Sequence, residues 1–139
     1  MKFEAAKALA QARAYGRCEG CGLPGSLDPH HRMTRGSGGV HGAAAAVSNS
    51  PQNLLMLCRP CHDMTLTAAH VGECIALGWV IERRAGADPR EIPAKIHTVN
   101  GYGWWHLTED GGYQWADTPN LDPGYSLNYK IDNDQEETS

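Results

Sequence analysis

At 139 residues and 15.1 kDa the chain can form one modest domain, or a small core with an appendage, and it is too short for two full-sized domains. A formal net charge of −4 argues against a polyanion covering the whole surface, yet the charge is uneven: residues 1–69 carry seven Lys or Arg against four acids, and residues 70–139 carry five against twelve. Five cysteines with no secretory signal ahead of them argue against a disulfide scaffold, and no run approaches the ~18 apolar residues of a membrane span, so a soluble intracellular chain is expected.

Residues 2–15 are dense in Ala, the best helix former, and contain neither Gly nor Pro, which predicts an N-terminal helix that stops at Gly16. Phe3 and Leu9 should brace it on the core, while Lys7, Arg13 and Arg17 are available to phosphates. Cys18-Glu-Gly-Cys21 follows, then a turn-rich stretch at 22–25 and a short strand at 26–32 that carries Asp28-Pro29-His30-His31-Arg32. Residues 36–50 are Gly, Ala and Ser with almost nothing bulky, the composition of a loop, with one helical turn possible at 43–47. After Asn53, the apolar run at 54–57 reads as a buried strand that delivers Cys58-Arg-Pro-Cys61-His62, and helical propensity resumes from Arg59 to about His70.

Residues 83–93 read as a linker-like bend. Three β-prone pieces follow at 95–99, 102–108 and 113–116, separated by Asn100-Gly101 and Asp110-Gly111-Gly112. They predict a small antiparallel sheet carrying Trp104, Trp105 and Trp115. From Thr118 onward polar and acidic residues dominate, and 132–139 should be disordered.

Two Cys-x2-Cys knuckles with 36 residues between them can aim four thiolates, from Cys18, Cys21, Cys58 and Cys61, at one tetrahedral zinc. Such a staple would substitute for a large core. His30 and His31 alternate along a strand, so they face opposite ways and should do different work. Arg32 and Arg35 follow directly and suit a phosphate clamp, or solvated loop charges. Asp28 reads as a turn residue before Pro29, with the orienting of a His as its alternative.

The segment from Cys18 to His62, about the central third of the chain, resembles the zinc-knuckle HNH endonucleases, and the run Leu77-Gly-Trp-Val-Ile81 followed by Asp88-Pro and Ile92-Pro is similar to HNH proteins of tailed phages. His31, Asn53 and His62 carry the likeness, with eight residues between the last two and both knuckles in place. The resemblance implies a small α+β protein. A ββα-metal core at 18–82 would be stapled by the four-cysteine zinc site, with an N-terminal helix at 1–17, an antiparallel β extension at 83–117 and an acidic tail at 118–139. It also implies metal-dependent cleavage of DNA in the cytoplasm of an infected host cell. His31 would be the general base, His30 and His62 would hold Mg²⁺, Mn²⁺ or another divalent cation, and Asn53 would aim His31. A zinc-ribbon module that binds nucleic acid without cutting it stays open as an alternative. So does an accessory protein of phage DNA packaging or head assembly with a terminase-type partner.

Overall fold

The computed structural model describes residues 1–34, 47–84 and 86–116. Arg35, most of the Gly/Ala loop and the acidic tail lie outside them. Helix α1 spans Phe3–Ala14 and buries Ala6, Ala10 and Ala14. Those positions recur at helical spacing, so one face of small side chains lies close against whatever it packs on. The helix ends at Tyr15, whose φ of 56° is left-handed, one residue before the glycine where the sequence put the stop.

Strands β1 (Asp28–His31) and β2 (Leu54–Leu57) form an antiparallel hairpin in the register Asp28↔Leu57, Pro29↔Met56, His30↔Leu55 and His31↔Leu54. A 3₁₀ turn at Pro51–Asn53 leads into β2. All four β2 side chains are buried because the strand is covered on both faces. Leu54 and Met56 join Ala6, Ala10 and Ala14 of α1, whereas Leu55 and Leu57 face a second core with Cys18, Cys61, Trp79, Ile96, Trp105 and Leu107. That double coverage explains an uninterrupted apolar run in place of an alternating one.

Helix α2 (Arg59–Met64) leaves β2 directly, and a separate α3 covers Val71–Ala76. The sequence predicted one helix to about His70. Between the two pieces the Thr65 and Thr67 hydroxyls donate to the carbonyls of His62 and Met64, a local bonding pattern that competes with helix continuation. Gly78 (φ 74°) turns the chain after α3, where a Cβ would run into the Pro93 carbonyl.

Strands β3 (Ala94–Thr98), β4 (Gly101–Leu107) and β5 (Tyr113–Trp115) form the antiparallel sheet in the order β3-β4-β5. The pairing Thr98↔Gly101 puts Val99-Asn100 at the hairpin tip, so Gly101 (φ 118°) opens β4 where Asn100-Gly101 was expected to be the turn. Trp104 and Trp105 are buried and Trp115 is half exposed. This sheet closes the same core that holds the cysteines, through Ala94, Ile96, Trp105 and Leu107. The protein is thus a small mixed α+β fold, and among its described residues no helix is long and apolar enough to cross a membrane.

A buried ion pair ties these layers together. Arg13 shares the helix face of Ala6 and Ala10, so it points inward, away from any phosphate. Its Nε and Nη2 donate to Glu19 at 2.8 Å each, while the other hydrogen of Nη2 goes to the Leu54 carbonyl and one from Nη1 to that of Pro51. Glu19 accepts in turn from the Met56 N–H at 2.9 Å and the Tyr113 hydroxyl at 3.1 Å. Both ionic side chains are 0% exposed. Glu19→Ala would leave the Arg13 charge buried and uncompensated, which typically costs ~3–5 kcal/mol. Urea unfolding of the variant should show a loss of that size, and a loss under ~1 kcal/mol, the worth of an exposed pair, would contradict the assignment.

Candidate functional site

The sulfur atoms of Cys18, Cys21, Cys58 and Cys61 all lie within 4.8 Å of one another. Cys21 and Cys58 stand 3.7 Å apart, close to the ~3.8 Å edge of a tetrahedron with metal–sulfur bonds of ~2.3 Å. The Cys18 Sγ accepts from the backbone N–H groups of Gly20, Cys21 and Cys58 at 3.2, 3.4 and 3.3 Å. Donors converging on one sulfur favour its ionised form. Burial nevertheless pushes the Cys18 and Cys61 thiols up. At Cys58 burial acts the same way, but the Cys61 N–H and the neighbouring thiols outweigh it and hold this thiol below its ordinary value. Four sulfurs at this spacing could hold a structural metal such as zinc, whose charge would stabilise all four as thiolates.

The first knuckle is woven into both sheets. The Glu19 N–H donates to Met56 of β2, and the Glu19 carbonyl accepts from His97 of β3, both at 2.9 Å. Gly20 sits so close to Trp79 that a Cβ there would come within 2.8 Å of the indole. Packing against Trp79 fixes the knuckle, and the Trp79 indole N–H donates to Lys95 of β3 at 2.9 Å.

Beside the cysteines, β1 and α2 bring His30 and His62 together, their rings 5.3 Å apart and steeply inclined at 61°. The His30 Nε2 lies 2.8 Å from the Trp79 carbonyl. A carbonyl only accepts, so Nε2 carries the hydrogen and Nδ1 presents a lone pair. Burial pushes the His30 pKa down to about 4, which keeps the ring neutral near pH 7. The His62 Nδ1 lies 3.4 Å from Asp28 Oδ2, which also meets Arg59 at 3.2 Å, so the His62 Nε2 is left as the lone-pair atom. Histidines whose outer nitrogen donates to a carbonyl or carboxylate are oriented as metal ligands usually are. Asp28 is thus drawn to His62, the alternative that the sequence weighed below a plain turn residue. Its position two before His30 on a strand, and so on the same face, was the available signal.

His31 is not part of this cluster. It lies on the α1 face of the hairpin, half-buried, with its ring stacked on Phe3 at 5.5 Å and 19°. Next to it, Asn53 is fully buried and grips the chain that leaves β1: Oδ1 accepts from the Met33 N–H at 2.8 Å, and Nδ2 donates to the Met33 and Ser48 carbonyls.

Arg32 corrects the expected phosphate clamp. Its side chain is fully buried and its guanidinium donates to five carbonyls, of Gly78, Gln52, Pro89, Ile92 and Pro93. Five rigid donors can gather irregular chain segments around one side chain, and that is a structural role with no hydrogen left for DNA. The Arg35 half of the expected clamp lies outside the described residues. No family model, curated protein or solved structure matched the chain.

Two tests address this region. Metal–thiolate binding supplies ~10–16 kcal/mol in small zinc domains, as much as a whole small domain's stability. Cys58→Ser should therefore abolish cooperative thermal unfolding and bound zinc together, and a zinc-free variant with the wild-type melting curve would contradict it. For His30 the folded pKa of about 4 lies below the ordinary 6.5, so the unfolded chain binds the extra proton. The associated stability is fully present above about 6.5 and is lost as the pH falls from there through 4. Urea unfolding of wild type against His30→Asn across this window should give a difference that changes by up to ~3 kcal/mol, with wild type losing ground in acid. Parallel pH profiles would contradict it.

Proposed function

We propose that this chain is a metal-dependent DNA endonuclease of the HNH type, phage-encoded and acting in the host cytoplasm. The observation that carries the reading is the approach of His30 on β1 to His62 on α2, at 5.3 Å, within a hairpin-then-helix unit pinned by four cysteines. In this reading β1, β2 and α2 are the ββα-metal core.

Hydrolysis of a phosphodiester requires a deprotonated water in line with the departing 3′ oxygen and positive charge against the phosphate. The Nδ1 of His30 and the Nε2 of His62 would hold a divalent cation such as Mg²⁺ or Mn²⁺, which supplies Lewis-acid stabilisation when bound. Trp79 and Asp28 hold these two rings in the tautomers that ligation needs.

His31 is the general base, since imidazole accepts a proton near neutral pH. Its stacking on Phe3 fixes the plane of the ring, and Asn53 fixes the backbone that follows. His30 and His31 point to opposite faces, but β1 pairs only with β2 among the described residues. In this reading the scissile phosphate lies along β1, between the metal held on the His30 face and the base on the His31 face.

The test is nicking of supercoiled plasmid by the zinc-loaded protein with Mg²⁺, Mn²⁺, Ni²⁺ or no added divalent ion. Nicking should require the added ion. His31→Ala should slow it by ~10²–10⁴ while calorimetry shows unchanged metal affinity. His30→Ala and His62→Ala should weaken metal binding and regain activity at high metal concentration. Wild-type cutting by His31→Ala would overturn its role, and no cutting with any ion would leave a zinc-stapled binding module.

A further inference from the structure

Between the end of α1, the first knuckle and the β3–β4 hairpin lies a cleft of about 370 Å³, lined by Ala14, Tyr15, Arg17, Gly22, His97, Thr98 and Val99. Its volume falls in the ~300–1,000 Å³ range of small-ligand pockets, room for the base and sugar of one nucleotide and too little for a duplex. Among the described residues, no acidic side chain lines it.

Tyr15 is the informative residue. The turn that ends α1 puts it at φ 56°, a conformation in which glycine is the usual choice and a bulky side chain is strained. It is also 77% exposed, so packing does not account for an aromatic there. Strain kept at an exposed position points to a ligand. His97 also lines the cleft; its ring packs on Tyr102 at 4.2 Å with the planes inclined at 32°, and the Lys95 ammonium lies over the Tyr102 ring at 5.4 Å, Tyr102 and Lys95 both standing next to the lining rather than in it. The His97 ring is seated against the knuckle turn, where a Cβ on Gly22 would come within 2.9 Å of it, and its Nδ1 lies 3.1 Å from the Gly20 carbonyl. The His97 ring is thus held in place on one side of the cleft. Arg17 is exposed at the rim and brings positive charge, with a 3.3 Å bond to the Gly22 carbonyl.

We propose that this cleft binds single-stranded nucleic acid, with a base stacked on Tyr15 against His97, and the neighbouring phosphates met by Arg17 at the rim and Lys95 beyond it. Aromatic faces beside cations recognise unpaired bases, since those faces are hidden in a duplex. The cleft shares no residue with the His30–His62 cluster, and binding there needs no catalysis.

Fluorescence anisotropy of a labelled dT12 oligonucleotide, and of a duplex of the same length, with the zinc-loaded full chain and no added divalent ion tests this. The single strand should bind more tightly than the duplex. Tyr15→Gly suits the left-handed turn, so it should keep or raise the melting temperature while weakening dT12 binding by about 5- to 150-fold, the range of one lost base stack. Arg17→Gln should lower the salt dependence of dT12 affinity by about one phosphate contact. Undiminished dT12 binding by Tyr15→Gly, or a duplex preferred over the single strand, would overturn the proposal. Tyr15-dependent dT12 binding by a chain that nicks no plasmid would support it and count against the nuclease reading alone.

Discussion

The constraint on which the fold depends is the convergence of four sulfurs donated by two distant turns. A chain of this size has little core to spare, and its two hydrophobic clusters are both modest and built around one four-residue strand. Drawing Cys18 and Cys21 to Cys58 and Cys61 fixes the chain entering β1 and leaving β2 at one end of the hairpin. The first knuckle's backbone then bonds to β2 on one side and β3 on the other, so the C-terminal sheet is registered through the same turn. Gly20 is small because Trp79 and the Cys61 sulfur occupy the space a side chain would need.

From that anchor the positions of the histidines follow. Because β2 is buried on both faces, each face of the paired strand β1 meets a different environment. His30, opposite Leu55, meets Trp79 and His62, whereas His31, opposite Leu54, meets Phe3 of α1. Two buried arginines hold the surrounding chain: Arg13 clamps α1 to the knuckle and β2, and Arg32 gathers the carbonyls near Gly78 and at 89–93 around the exit of β1. Buried charge does here what a larger apolar core does elsewhere. Its benefit is in positioning more than in net stability.

Much of this was legible because the signals were local. Cysteine spacing announced the sulfur cluster, the apolar run announced β2, the alanines announced α1, and strand alternation separated His30 from His31. What escaped depends on tertiary geometry. Nothing in the composition distinguishes a buried Arg32 from a phosphate-binding one, since the deciding partners are carbonyls up to 61 residues away. Arg13 could have been read as inward from its helical spacing with Ala6 and Ala10, but its partner Glu19 lies inside a knuckle, where acids are usually solvated. The break between α2 and α3 came from threonine hydroxyls bonding back to the helix, an effect that summed propensity does not contain.

The proposed nuclease reading requires the His30–His62 face of the hairpin to hold one divalent cation, separate from the four sulfurs. Histidine ring signals followed by NMR while Mn²⁺ is titrated into the zinc-loaded protein test it most directly, because the paramagnetic ion erases the resonances nearest to it. The account predicts that the His30 and His62 ring signals vanish before those of any other histidine, at substoichiometric Mn²⁺. Loss of another imidazole first, or uniform broadening with no ordered loss, would contradict it.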